Sequence, residues 1–166
     1  LKEGREPDPG APLAATTEIK LHVPALLPAD YCADVHERLS LYKRLAGADA
    51  EDRLREIQEE LIDRFGKLPE QATALFETHR LRLACKPLGI IKIDAAAEAI
   101  VLQFTEKPPI DPGLIIAMIQ QRRDARMSGQ DRIRFTLATP DLKARVKAIR
   151  DILAALSSPP AGKKKS

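Results

Sequence analysis

The stretch Ala50-Glu51-Asp52-Arg53-Leu54-Arg55-Glu56-Ile57-Gln58-Glu59-Glu60-Leu61-Ile62-Asp63-Arg64-Phe65-Gly66 decides how this chain is read. Leu54, Ile57, Leu61 and Phe65 recur at helical spacing. With successive residues about 100° apart around a helix axis, they fall on one narrow arc. Glu56, Glu59, Glu60 and Asp63 occupy the opposite arc. The spacing predicts a helix over residues 50–65, stopped by Gly66, with one face to bury and one strongly acidic face.

Working outward toward the N-terminus, Asp30 is read as the cap of an earlier helix that Gly47 closes. Its expected stripe is Tyr31, Val35, Leu39, Tyr42 and Leu45. Before it, Ile19, Leu21 and Val23 alternate with Glu18, Lys20 and His22, the period of a half-buried strand, and Pro24 and Pro28 end the run. In the other direction, Pro69 opens a third helix reaching about residue 86, with Ala72, Leu75, Phe76, His79 and Leu83 on its inner face. Pro87 and Gly89 stop it, and residues 90–93 and 99–104 form a β-hairpin around residues 94–98. Asp111 caps a short helix over residues 112–122, and Ile133, Phe135 and Leu137 mark another strand. A last helix starts at Thr139-Pro140, with Thr139 as cap and Pro140 in the first helical position, and buries Leu142, Val146, Ile149, Leu153 and Leu156. Regular crossover helices do not separate the strands. The expectation is therefore an α+β fold, about five helices packed with a small, mainly antiparallel β-sheet in a single domain.

The flanks differ in composition. Residues 1–16 carry Gly4, Pro7, Pro9, Gly10 and Pro12 and read as a linker, residues 17–157 as the folded unit, and residues 158–166 as a disordered Lys-rich tail. The formal net charge is +3, and Lys163, Lys164 and Lys165 account for it, so the remainder is neutral. A neutral body argues against a dedicated nucleic-acid binder, which normally carries a basic stripe. Aromatic residues are only 4% with no Trp, leaving few platforms for stacking bases. Cys32 and Cys85 stand alone and are expected to be buried free thiols.

Nothing in the sequence matches a phosphate-binding loop, a zinc-protease helix or a nucleophile elbow, so no catalytic, cofactor-binding or metal-ligating residues are expected. His79 falls on an apolar stripe and is expected in the core; His22 and His36 are expected at the surface. The acidic arc Glu56, Glu59, Glu60 and Asp63 has three readings from spacing alone: a solvated face, a dock for a basic partner, or a metal or catalytic site, in that order. Two basic clusters have a weaker reading as salt-sensitive nucleic-acid contacts. One is Lys143 and Lys147, with Arg145 and Arg150, on the last helix; the other is Arg122, Arg123 and Arg126, expected in a loop.

Three segments carry a resemblance. Arg38-Leu39-Ser40-Leu41-Tyr42-Lys43-Arg44, then Glu60-Leu61-Ile62-Asp63-Arg64-Phe65-Gly66 with Pro69 beyond it, and the opening Glu18-Ile19-Lys20-Leu21-His22-Val23-Pro24, resemble the C-terminal domain of the bacterial transcription-repair coupling factors (Mfd). The resemblance implies a cytoplasmic parent that is an ATP- and Mg-dependent DNA translocase acting on stalled RNA polymerase. Its motor modules lie upstream, so the fragment itself is expected to be neither an enzyme nor a membrane protein, to hold no cofactor, and to be monomeric. The resemblance further implies an autoinhibitory interaction domain. It would dock on the UvrB-like N-terminal module of the same protein and mask that module's UvrA-binding surface until polymerase and DNA are engaged. The family places acidic residues of the Glu-Leu-Ile-Asp-Arg-Phe-Gly segment at that contact, which here are Glu60 and Asp63. Glu56 and Glu59 join them by geometry alone. The alternative from another class is a small nucleic-acid-binding accessory domain using the basic final helix.

Overall fold

A computed structural model describes residues 17–157. The linker and tail expectations fall on residues outside that range. The described residues form five α-helices and a five-stranded mixed sheet. In chain order these are β1 (Glu18–Lys20), α1 (Val35–Gly47), α2 (Glu51–Phe65), α3 (Glu70–Cys85), β2 (Ile90–Ala95), β3 (Ala99–Phe104), α4 (Pro112–Gln121), β4 (Ala125–Met127), β5 (Arg132–Thr136) and α5 (Leu142–Ser157). The α+β class expected from the sequence is the observed one.

The sheet order is β1-β2-β3-β5-β4. β1 runs parallel to β2, across a connection that contains α1, α2 and α3, and every other neighbour is antiparallel. The β2–β3 hairpin closes where the Ala96 amide donates to the Ala99 carbonyl at 2.8 Å. At the start of β2 the left-handed Gly89 (φ 71°) lies against Pro108 and Pro109, and a Cβ there would sit 2.7 Å from the Pro109 ring. Only glycine meets both demands.

α3 separates two cores. Its Ala74, Leu81 and Cys85 pack with the sheet and α5, in a core that includes Ile93, Ile100, Leu102, Ile133, Phe135, Ile149 and Ile152. Its Ala72, Leu75 and Phe76 pack with α1 and α2, against Leu41, Leu45, Leu54, Ile57 and Leu61. A helix buried on two sides has no single stripe, which is why the one-sided face expected for α3 was incomplete. His79 and Leu83 are only half-buried, while Leu81 and Cys85 are buried.

Several local expectations are corrected. α1 begins after Asp34, not Asp30; Asp34 accepts from the His36 amide at 2.9 Å. Residues around Asp30 instead make a turn in which the Tyr31 and Cys32 amides donate to the Pro28 carbonyl. The buried residues of α1 are Leu41 and Leu45, while Val35 and Leu39 are exposed. The basic segment around Arg126 is not all loop, because Ala125–Met127 pairs with β5 as an edge strand. At the head of α5, Asp141 accepts from the Ala144 amide at 2.8 Å and does the capping; Thr139 is buried instead. Gly66 (φ 92°) ends α2, and Asp111 caps α4 by accepting from the Gly113 amide at 2.9 Å, both as expected. Cys32 and Cys85 are buried free thiols, and burial pushes the Cys85 thiol up to about 12, where it stays protonated and unreactive at neutral pH.

Candidate functional site

α2 buries Leu54, Ile57 and Leu61 completely, so its outer face is held rigidly by the core beneath it. The four acidic residues picked out by spacing do not share one environment. Glu60 is engaged within the domain. The Arg44 guanidinium, from the last turn of α1, donates to both of its carboxylate oxygens at 3.1 and 2.8 Å, and Arg64 stands 3.6 Å away. The Arg44 fork holds the Glu60 carboxyl below its ordinary range, with Arg64 helping and partial burial opposing. Glu60 is thus a clasp between α1 and α2, and any partner cation that docks on it competes with Arg44. Helical geometry could not reveal this, because Arg44 comes from a different element.

The rest of the arc faces outward. Glu56 pairs loosely with Arg53 one turn earlier at 3.3 Å, both well exposed. Glu59 and Asp63 are exposed and make no ion pair among the described residues. Asp52 joins this side and meets Arg55 at 3.0 Å. Ile62, 41% exposed, borders the carboxylates on the same outer surface. Sequence reading passed over it, since an Ile next to Leu61 looks like core; its position some 100° around from Leu61 was the available signal. Arg64 contacts Glu37 of α1 and lies over the Phe65 ring, which keeps it beside the acidic face.

The histidines join no acidic cluster. His22, just past β1, bonds Asp94 at 2.6 Å, and His36 lies at the head of α1. His79 is half-buried beside Arg82, where burial, with that guanidinium adding, lowers its pKa to about 4. Among the described residues no three of His, Cys, Asp and Glu gather as a metal site would require.

The basic clusters are largely spent. Arg145 is buried, 4% exposed, and donates to the Leu21 and Thr139 carbonyls at 2.6 Å each; its expected place on the outer face of the last helix is a correction. Lys147 meets Asp151 at 3.1 Å and Arg150 meets Glu77 at 2.9 Å. Arg122 is forked onto Asp124 at 2.9 and 2.8 Å and stacks over Phe135. Lys143, Arg123 and Arg126 remain exposed without an ion pair among the described residues, and they do not share one element.

Together the fold and surface define a class, an α+β domain in which a central helix divides two cores and a neighbouring helix displays an acidic outer face. The sequence profile of the TRCF domain matches residues 21–115, and the chain belongs to that family. It is 40% identical over 92% of its length to the transcription-repair-coupling factor of Escherichia coli K12, and 38% identical over 95% to that of Haemophilus influenzae. It spans only 13% and 14% of the lengths of those two relatives. Its fold matches a crystal structure of the C-terminal domain of transcription-repair coupling factor with a TM-score of 0.71 at 21% identity, covering 85% of this chain and 91% of that one. The resemblance read from the three sequence segments is therefore correct. No helix of the described residues is long and apolar enough to cross a membrane.

Proposed function

We propose that this domain is an autoinhibitory interaction module. The outer face of α2 docks on the UvrB-like N-terminal module of the parent protein and masks its UvrA-binding surface until the protein engages stalled RNA polymerase and DNA. The observation that carries the reading is the exposed face of Glu56, Glu59 and Asp63, bordered by Ile62, on a helix whose other side is fully packed. Within that face Glu59 and Asp63 are free to take arginine or lysine from a partner, while Glu60 sets the position of α2 through Arg44.

Exposed ion pairs contribute about 0–1 kcal/mol each. A few of them make a poor contact between separate molecules. A tether raises the effective concentration to roughly the millimolar range, where such a contact closes and still reopens. UvrA, binding only the uncovered state, then shifts the population toward it.

The test is a titration of the 166-residue chain against the separately prepared UvrB-like module at low and high salt. Glu59→Lys with Asp63→Lys is expected to weaken binding by about tenfold or more and to abolish its salt dependence. In the full-length protein the same change raises UvrA binding. Unchanged affinity in the titration, or unchanged UvrA binding by full-length protein, refutes the docking reading.

A further inference from the structure

The sheet has a second face, turned away from α3 and α5. On β5, Ile133 and Phe135 point into the core, while Arg132, Arg134 and Thr136 point out. The pairing register sets Arg134 directly opposite Arg126 on β4 and Val101 on β3. The adjacent rung carries Arg132, Gln103, Lys92 and Glu18 across four strands. Lys92, Asp94, Val101, Gln103 and Arg132 line a shallow depression of about 240 Å³ between these rungs.

Directly opposed side chains in an antiparallel pair have Cβ atoms about 4.5–5.5 Å apart, and like charges placed there repel. Arg126 and Arg134 are such a pair, and neither has an ion pair among the described residues. Arg132 approaches only Asp131, at 3.8 Å, and Lys92 has no ion pair among the described residues. Arg44, Arg64, Arg80, Arg122 and Arg150, by contrast, all meet carboxylates. Carboxylates also stand on or beside this face: Asp94 bonds His22 at 2.6 Å, Glu18 lies 3.8 Å from Lys20, and Asp131 accepts from the Gln103 amide at 3.2 Å. On the β2-to-β4 part of the face Arg126, Arg132, Arg134 and Lys92 thus outnumber Asp94 and Asp131, which leaves a net positive charge on the far side of α3 from the acidic face of α2.

The uncharged outward residues of β3 and β5 are Ala99, Val101, Gln103 and Thr136. Among the described residues of this face nothing aromatic points outward to stack a base. What remains is a flat array of guanidinium and ammonium groups, and arginine forks match phosphate oxygens two at a time. We propose that this sheet face binds the phosphate backbone of duplex DNA without reading its sequence, through Arg126, Arg132, Arg134 and Lys92. This is a different surface from the final helix, and it stands apart from the docking of α2. The nearly neutral net charge of the body does not oppose it, because the excess of cations is local to this part of the sheet face.

Fluorescence anisotropy of a labelled mixed-sequence duplex, titrated with the whole chain at 50 to 200 mM salt, tests it. Four contacted phosphates give a slope of log affinity against log salt of about −3 to −4, a loss of roughly a hundredfold across that range. Arg126→Gln with Arg134→Gln lowers the slope by about 2 and weakens binding at least tenfold at 50 mM, while Arg126→Lys with Arg134→Lys retains most of the slope. Circular dichroism confirms that both variants fold. The proposal is overturned if no binding occurs at 50 mM salt, or if the glutamine pair leaves affinity and slope unchanged. It is equally overturned if Lys163→Gln, Lys164→Gln and Lys165→Gln together abolish binding. Preferential capture of a polyglutamate peptide over the duplex by this face also overturns it.

Discussion

On the sheet side of α3, one guanidinium is sealed inside the domain; on the helical side, several lie at the surface. Arg145 reaches from α5 to the carbonyls of Leu21 and Thr139, and its Nε donates to the Thr139 hydroxyl, which itself donates to the Ala96 carbonyl. One side chain thus ties α5, the end of β1 and the β2–β3 turn together without a carboxylate. Across α3, Arg44 joins α1 to α2 through Glu60, and Arg64 joins them through Glu37, all partly exposed. Arg82 supplements these by donating to the Leu45 and Ala48 carbonyls at the end of α1. The difference has a physical consequence. A buried donor leaves its acceptors stranded when removed, whereas a surface pair returns its groups to water. The side that carries the proposed dock is therefore the side whose fastenings are weak and sensitive to salt.

Three experiments break or sharpen this contrast. The largest effect is expected for Arg145→Met, which strands two buried carbonyls; denaturant unfolding is expected to show a loss of about 2–4 kcal/mol, nearly independent of salt. A loss below that of a surface pair removes the distinction.

Next comes pH. His79 titrates at about 4 in the folded domain. Its unfolded value is about 6.5, so between these the unfolded chain binds more protons. The associated stability is present above pH 6.5 and fades as pH falls toward 4, by up to about 3 kcal/mol. His79→Gln is expected to flatten that part of the stability profile relative to the parent, as followed by thermal melts at stepped pH.

The smallest effect is expected for Glu60→Gln. It loosens the Arg44 clasp at a side chain 37% exposed, and about 0.5–1 kcal/mol is lost at low salt and less in 1 M salt. A larger loss would make the helical side as stiffly fastened as the sheet side.

Much of this molecule was readable from local pattern. α2 follows from the spacing of Leu54, Ile57 and Leu61 with Gly66 as its stop, and α4 follows from Asp111-Pro112. The β2–β3 hairpin follows from two apolar runs around a short polar-and-Ala connection. β4 was not readable, because three residues carry no period and Ala125–Met127 becomes a strand only by pairing with β5. Asp30 and Asp34 are equally good caps in isolation. Asp34 is the one used, where the chain before it is held by the Pro28 turn and by the Tyr31 hydroxyl, which donates to the Gly66 carbonyl at 2.8 Å. The acidic arc was legible as an arc, but the withdrawal of Glu60 from it was not.

The order of apolar and polar residues by itself determined that there would be amphipathic helices, a hairpin and one acidic helix face, since these depend on neighbours within a turn or two of chain. Which charges are free was decided only by tertiary contact. Arg44 and Glu60 are 16 residues apart in sequence, and Arg145 and Leu21 are 124 apart. Arg126 and Arg134 become opposed only through strand register. Charge is felt through space rather than along the chain, so its pairing could be read only once the chain had folded.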